Sequence, residues 1–326
     1  MPTTFKPLLI AWIASLVIVL GGLMLLQVTY DPVLEEPEAI VAEDITPEPE
    51  VIPPRVMPIE AIPALLEMTD RGPLPIIGQD GTEPANAYAA NPVEADGLNK
   101  IAIIVTDLGP IARNVRRALS DLPTRTTLAF SPYGAGINGW AEQARRAGHE
   151  TMLMVPMEPN NYPQNDPGPL TLTVNAPRTG NLNLLRDSLG KLTGYTGIVT
   201  HMGARFTAAG QSIRPVLEEL KSRGLMYIDS RASTYSRGPE MARALSVPSA
   251  TNTITGYLDE DLSAAVINER LDQLEQQAAR DGYALGIARP YPVSVESISA
   301  WAAGLESRGA IIVPVSQIAD LQPSAP

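Results

Sequence analysis

No cysteine occurs in the 326 residues. That absence removes disulfide frameworks, thiolate metal sites and cysteine nucleophiles, and leaves the redox compartment undecided. Histidine is nearly as scarce, with His149 and His201 the two in the chain, so imidazole chemistry is confined to them. An excess of positive charge is lacking too. Lys and Arg number 24 against 36 Asp and Glu, for a formal net charge of −12. The acidic excess is local: residues 31–100 carry 15 acidic and 3 basic side chains. The remainder is neutral and offers no basic footprint, so nucleic acid is not an expected partner. No Gly-x-Gly-x-x-Gly opens the first βα turn, where Asp107-Leu108-Gly109-Pro110 stands instead, which argues against a dinucleotide site. No Gly-x-Ser-x-Gly elbow suggests a serine hydrolase.

What is present begins with an apolar run. Residues 8–26 contain no charged side chain, and roughly 20 helical residues suffice to cross a hydrocarbon core. No small-residue cleavage pattern follows, so residues 1–30 read as an uncleaved signal anchor, single-pass through the inner membrane at residues 8–28. Lys6 lies before the run and acidic residues follow it, which places the bulk of the chain on the periplasmic or extracytoplasmic side. Residues 31–71 are rich in Pro and Glu, as in Thr46-Pro47-Glu48-Pro49-Glu50. Proline blocks helix and ladder, and like charges repel, so an extended linker is expected. Residues 72–98 are less charged and read as an arm packing on the domain; 99–322 form the domain and 323–326 a tail.

Within the domain one pattern recurs. Arg146-Ala147-Gly148, Arg223-Gly224, Arg280-Asp281-Gly282 and Arg308-Gly309 each end a helical pattern and precede a β-branched run. Glycine past a helix end accepts the left-handed conformation, and arginine in the last turn complements the helix dipole. The intervening helices are amphipathic, with Ile267, Leu271, Leu274 and Ala278 on one face. Strands are expected near 101–106, 126–130, 151–155, 196–200, 225–229, 283–288 and 310–313, with a weaker one near 246–250. Alternating strands and helices imply a parallel sheet, and seven or eight units suit an irregular (β/α) barrel in the α/β class better than an open sheet.

Active groups of such barrels sit at the C-terminal ends of strands. Those ends offer Asp107, Glu158, His201, Asp229 and Arg289 as candidate site residues. Each has an innocent reading alone, as a helix cap or a rim charge; as a group they predict one shared hollow. His149 follows a helix end at the start of its strand, hence on the opposite face. The long connection 160–181 is of a length usually reserved for function, and Tyr162, Tyr133 and Trp140 are candidates to stack on a ligand's ring.

The order of Ile104-Val105-Thr106-Asp107-Leu108-Gly109, Gly148-His149-Glu150, Val155-Pro156-Met157-Glu158-Pro159, His201-Met202-Gly203-Ala204, Asp229-Ser230 and Arg289-Pro290-Tyr291-Pro292 resembles the divergent polysaccharide deacetylases, the YibQ-like branch of the NodB-type superfamily. The resemblance spans about residues 72–322. It implies a distorted NodB-like barrel, an envelope location and metal-assisted removal of acetyl groups from N-acetylated sugars. A divalent, zinc-like metal would then be held by Asp107 and His201, with a carboxylate as base. The chain departs from that pattern at the chemistry. Thr106 stands where relatives carry a first aspartate, and Met154 and Arg289 stand where they carry histidines. Arginine cannot ligate a metal, and Arg289 is expected to supply positive charge there by pairing with Asp107 or Asp229. Two functions follow as expectations: an eroded site that binds an envelope glycan or partner protein without turnover, or a working N-acetyl hydrolase.

Overall fold

The computed structural model describes residues 12–13, 15–20, 22–25 and 57–319. Most of the expected anchor and linker, and the tail, lie outside the described residues. The described anchor positions are helical, with exposed apolar side chains such as Trp12 and Leu20. Among the described residues no helix is long and apolar enough to cross a membrane. The chain divides into two compact units, Met1–Ile52 and Pro53–Pro326; the second holds the site.

That unit opens with an antiparallel pair, β1 (Leu66–Thr69) and β2 (Gly72–Pro75). Eight strands follow: β3 (Asn99–Leu108), β4 (Thr127–Phe130), β5 (Thr151–Met157), β6 (Gly197–Met202), β7 (Met226–Asp229), β8 (Ser249–Thr251), β9 (Tyr283–Ala288) and β10 (Ala310–Ile312). Their ladders are all parallel and run β9-β3-β4-β5-β6-β7-β8, with β10 pairing the start of β3. Between β8 and β9 the chain bridges by single bonds: the Thr253 amide donates to the Leu285 carbonyl at 2.8 Å and the Leu258 amide to the Ile287 carbonyl at 2.7 Å. The result is a nearly closed barrel, with each expected strand present.

Alternation along the strands sorts the core into two layers. Ile101, Ile103 and Val105 of β3 pack outward with Leu153, Val155, Ile198, Tyr227 and the helix faces bearing Leu271 and Leu274. Ala102, Ile104, Met152, Met154, Val199, Ile228, Leu285 and Ile287 fill the barrel interior, closed from below by Val313, Val315 and Ile318. Helix ends are punctuated as the sequence implies. Gly148, Gly224, Gly282 and Gly309 all carry positive φ between 63° and 91°, a region open to glycine without steric cost. At Gly197 a different demand applies, because a Cβ there would lie 2.4 Å from the Met226 carbonyl oxygen.

The linker boundary expected at residue 71 needs correction, because the chain is packed from residue 57. Buried Arg145, at 3 % exposure, donates from Nε to the Ile59 carbonyl (2.8 Å) and from Nη1 to the Gly194 carbonyl (2.8 Å). Leu65 and Leu74 are buried, and Arg223 reaches the Pro75 carbonyl at 2.9 Å. Apolar residues at 59, 62, 65 and 74 supply what the charged, proline-rich part of the spacer lacks. Residues 84–93 also pack on the domain: buried Glu150 accepts from the Ala90 amide at 2.9 Å, and Val93 exchanges two bonds with Gln317.

Candidate functional site

A cavity of about 530 Å³ opens at the C-terminal ends of the strands, its wall including Asp107, Asn160, Asn161, His201, Arg231, Tyr257, Glu260 and Arg289. Alternation explains most of its membership. His201 continues the interior row from Val199, and Arg289 continues it from Ile287. Asp107 does not follow that rule: it is in step with Val105, which faces the helices. A break in register between Val105 and Leu108 against β4, and a φ of 55° at Asp107, turn it to the mouth instead. Met202 (φ 56°), the last residue of β6, and Arg231 (φ 55°), two past the end of β7, are similarly left-handed, and both line the cavity. Such backbone outliers in non-glycine residues are uncommon and collect at functional sites.

Asp107 accepts a hydrogen bond from the Thr106 hydroxyl at 3.1 Å, and its amide points to the Met154 sulfur at 3.0 Å. Burial holds the His201 imidazole below its ordinary value; Asp107 pulls the other way and Arg289 adds to the lowering. Burial therefore favours the neutral form of His201. Its Nδ1 is buried without a partner, which leaves Nε2 as the accessible nitrogen. The Tyr257 phenol is held above its usual range by burial and by Asp107, against a hydrogen bond with Thr106 and the charge of Arg289. Asp107, His201, Tyr257 and Arg289 thus form one electrostatic group.

Two expected members are elsewhere. Asp229 is 1 % exposed and in step with Tyr227, so it faces the helix layer. It accepts from the Tyr227 phenol (3.0 Å), the Ser236 hydroxyl (2.5 Å) and the Arg231 amide (2.7 Å), and so fixes the turn after β7. Glu158, 2 % exposed, accepts from Arg205 Nη1 at 2.8 Å and the Val174 amide at 2.6 Å. Its carbonyl receives the Arg205 and Phe206 amides. That carboxylate ties the 160–181 connection to the helix Ala204–Ala208; it does not line the cavity. His149 lies at the opposite end, as expected, with Nδ1 2.8 Å from the Thr126 carbonyl.

Arg289 pairs with neither Asp107 nor Asp229. Its partner is Asp259, fully buried, at 3.3 Å from Nε to Oδ1; its amide donates to Oδ2 at 2.8 Å and its Nη2 to the Asp259 carbonyl at 2.9 Å. Its guanidinium lies 4.7 Å from the Tyr257 ring centre and 5.5 Å from that of Tyr291, within cation–π range. The segment Gly256-Tyr257-Leu258-Asp259 is the stretch of the cavity wall that sequence reasoning missed. Its signal was an aromatic and an acidic residue in the connection that follows the weakest strand, six and eight residues beyond its end at Thr251. Of the proposed stacking aromatics, Trp140 packs on the outer core and Tyr133 accepts the Leu170 amide at 3.0 Å; neither lines the cavity, nor does Tyr162.

A match to the family described as divergent polysaccharide deacetylase covers residues 103–319. The chain belongs to that family. It is 36 % identical to a solved structure of the uncharacterized protein ATU2773 from Agrobacterium tumefaciens C58, with a TM-score of 0.73 over 76 % of this chain and 99 % of that one. Among curated relatives it is 22 % identical to the uncharacterized protein YibQ of Escherichia coli K12 over 196 residues, 60 % of each chain. An uncharacterized protein of Haemophilus influenzae is 23 % identical over 62 % of this chain and 70 % of its own.

The family implies a metal, and the residues present do not fit one. Among the described residues no three His, Cys, Asp or Glu side chains converge to hold an ion. Of the five expected site residues Asp107, His201 and Arg289 share the cavity, and two of these could serve as ligands. The Met154 thioether is a soft, neutral ligand unsuited to hard or borderline cations bound through oxygen, and Arg289 is a fixed cation.

Proposed function

We propose that this chain is a membrane-anchored envelope protein of the divergent polysaccharide deacetylase family whose barrel mouth binds a glycan without metal-assisted turnover. One observation carries this reading. Asp107 and His201 meet in the cavity, yet the side chains beside them are Met154, with its sulfur against the Asp107 amide, and Arg289, already engaged with Asp259. The ligand set stops at two, while the cavity remains, at about 530 Å³, inside the range of about 300–1,000 Å³ typical of small-molecule sites. Polar groups from Asn160, Asn161, Ser230 and Arg231, with Tyr257 as an aromatic wall, suit a hydroxyl-rich ring better than an apolar ligand. The apolar run at residues 8–28 supports an inner-membrane anchor with the domain outside the cytoplasm, and an envelope protein is the alternative occupant of the same mouth.

The survival of Asp107 beside a neutral, accessible His201 Nε2 favours a second reading, a metal-dependent hydrolase acting on N-acetyl groups. Elemental analysis of the purified chain, together with deacetylation assays on chitooligosaccharides and peptidoglycan fragments, separates the two. Substoichiometric metal, glycan binding and no acetate release are expected. Tight stoichiometric metal, with turnover abolished by Asp107→Ala, overturns the first reading.

A further inference from the structure

The charges around the cavity do not balance. Arg289 and Asp259 neutralise one another within the wall. Arg231 lines the mouth, donating to the Thr253 carbonyl at 2.7 Å. Against it stand Asp107 and Glu260. With that ion pair set aside, two carboxylates face one guanidinium at the mouth. Glu260 is at the exposed rim, where its carboxylate accepts the Tyr257 amide at 3.0 Å. Asp107 is the deeper of the two, and among the described residues no cation forms an ion pair with it. A partly buried carboxylate without an ion-pair partner calls for a cation.

We propose that the cavity recognises amino sugars in their free-amine form, with the 2-ammonium group of a hexosamine seated against the Asp107 carboxylate. This rests on the glycan-binding reading above and names its ligand class. The surroundings fit an ammonium donor. The Asp107 oxygens accept one protein hydrogen bond, from Thr106, and have capacity for more. The Nε2 of His201 offers an acceptor lone pair when the hydrogen resides on Nδ1. The Tyr257 phenol oxygen is close enough to feel Asp107 and offers a further lone pair. An N-acetylated sugar presents an uncharged amide and a methyl at the same place, leaving the carboxylate uncompensated. The opposing cation, Arg289, is held back by its ion pair with Asp259 at 3.3 Å. A charge-assisted bond to a carboxylate that is half-shielded from water predicts a preference of roughly ten- to hundredfold for the amine.

The test is calorimetric titration of the full chain in detergent with three tetrasaccharides: the β-1,4 oligomers of glucosamine, of N-acetylglucosamine and of glucose. The expected result is at least tenfold tighter binding of the glucosamine oligomer, weakened by salt and reduced to the level of the glucose oligomer in Asp107→Asn. Asparagine tolerates the left-handed backbone at this position, so that variant retains the fold. Equal or tighter binding of the N-acetylated oligomer overturns the inference and leaves the glycan reading standing. A preference that survives Asp107→Asn and vanishes in Glu260→Gln also overturns it. Failure to bind any of the three rejects the glycan reading itself.

Discussion

Removing the Asp259 carboxylate is the sharpest test of how the cavity wall is held. Asp259 has no exposed surface, and its side chain accepts the Arg289 amide at 2.8 Å, Arg289 Nε at 3.3 Å and the Ser294 hydroxyl at 2.7 Å. Asp259→Ala leaves a backbone N–H and a fully buried hydroxyl without acceptors, each worth about 1–3 kcal/mol. It also strips the counter-charge from a guanidinium whose side chain is 28 % exposed, a share discounted because water screens it in part. The sum is about 3–5 kcal/mol, the range for breaking a buried pair by removing one partner. Asp259→Asn keeps an acceptor oxygen and the shape, and should lose only about 1–2 kcal/mol. Urea denaturation of both variants reads this as a lower midpoint at unchanged slope. A loss under about 1 kcal/mol for the alanine variant, or equal losses for both, refutes the reasoning, because Arg289 would then not depend on that carboxylate.

Three further outcomes follow from the geometry. Glu158→Ala frees the Val174 amide and Arg205, and should cost about 1–3 kcal/mol while raising limited proteolysis within 160–181. Gly197→Ala places a Cβ 2.4 Å from the Met226 carbonyl, so β6 and β7 must separate; urea denaturation should show a loss of about 3 kcal/mol or more, and a neutral result contradicts the strand packing. His149 is held below the ordinary histidine value by burial, opposed by the Thr126 carbonyl. Its folded state therefore disfavours protonation, so its contribution is intact above the unfolded value near 6.5 and is lost as pH falls below it. Buried Glu150, held above its ordinary value by desolvation, acts in the opposite sense. The decisive comparison is the stability difference between pH 7.5 and 5.5 in wild type and in His149→Gln, which should be smaller in the variant.

The barrel was legible because its signals are local. Each Arg-Gly helix end and each β-branched run carries its own cause, and eight of them in series leave few architectures. The site was legible in part, and strand parity marks the line. His201 and Arg289 lie two residues beyond Val199 and Ile287, interior positions, so their membership could be counted from the sequence. The same count applied to Asp229 places it with Tyr227 in the outer layer. Asp107 fails the count and still reaches the mouth, because a register break and a positive φ at the end of β3 redirect it; no single-sequence pattern announces a bulge. The Arg289 partner was out of reach for another reason. Thirty residues and the helix Ala264–Asp281 separate it from Asp259, and it is the near-closure between β8 and β9 that brings them together.

Four carboxylates near the strand ends meet different fates, and the difference shows what shapes the mouth. Glu158 is consumed by Arg205 and an amide, Asp229 by two hydroxyls and an amide, and Asp259 by Arg289 and Ser294. Each of these three is satisfied by fixed donors of the chain itself, so the loops that shape the cavity do not rely on an ion to hold them. Asp107 differs, with one side-chain hydrogen bond from its neighbour and a left-handed backbone that aims it at the opening. Strain of about 1–3 kcal/mol at such a residue persists only when surrounding packing enforces it, and the enforcement comes from Leu108 and Val105, both fully buried on either side. A carboxylate so held, beside three whose oxygens are taken up by donors of the chain, is the one that the amino-sugar reading offers to a ligand. Its replacement should therefore alter what the mouth selects far more than how firmly the barrel is folded.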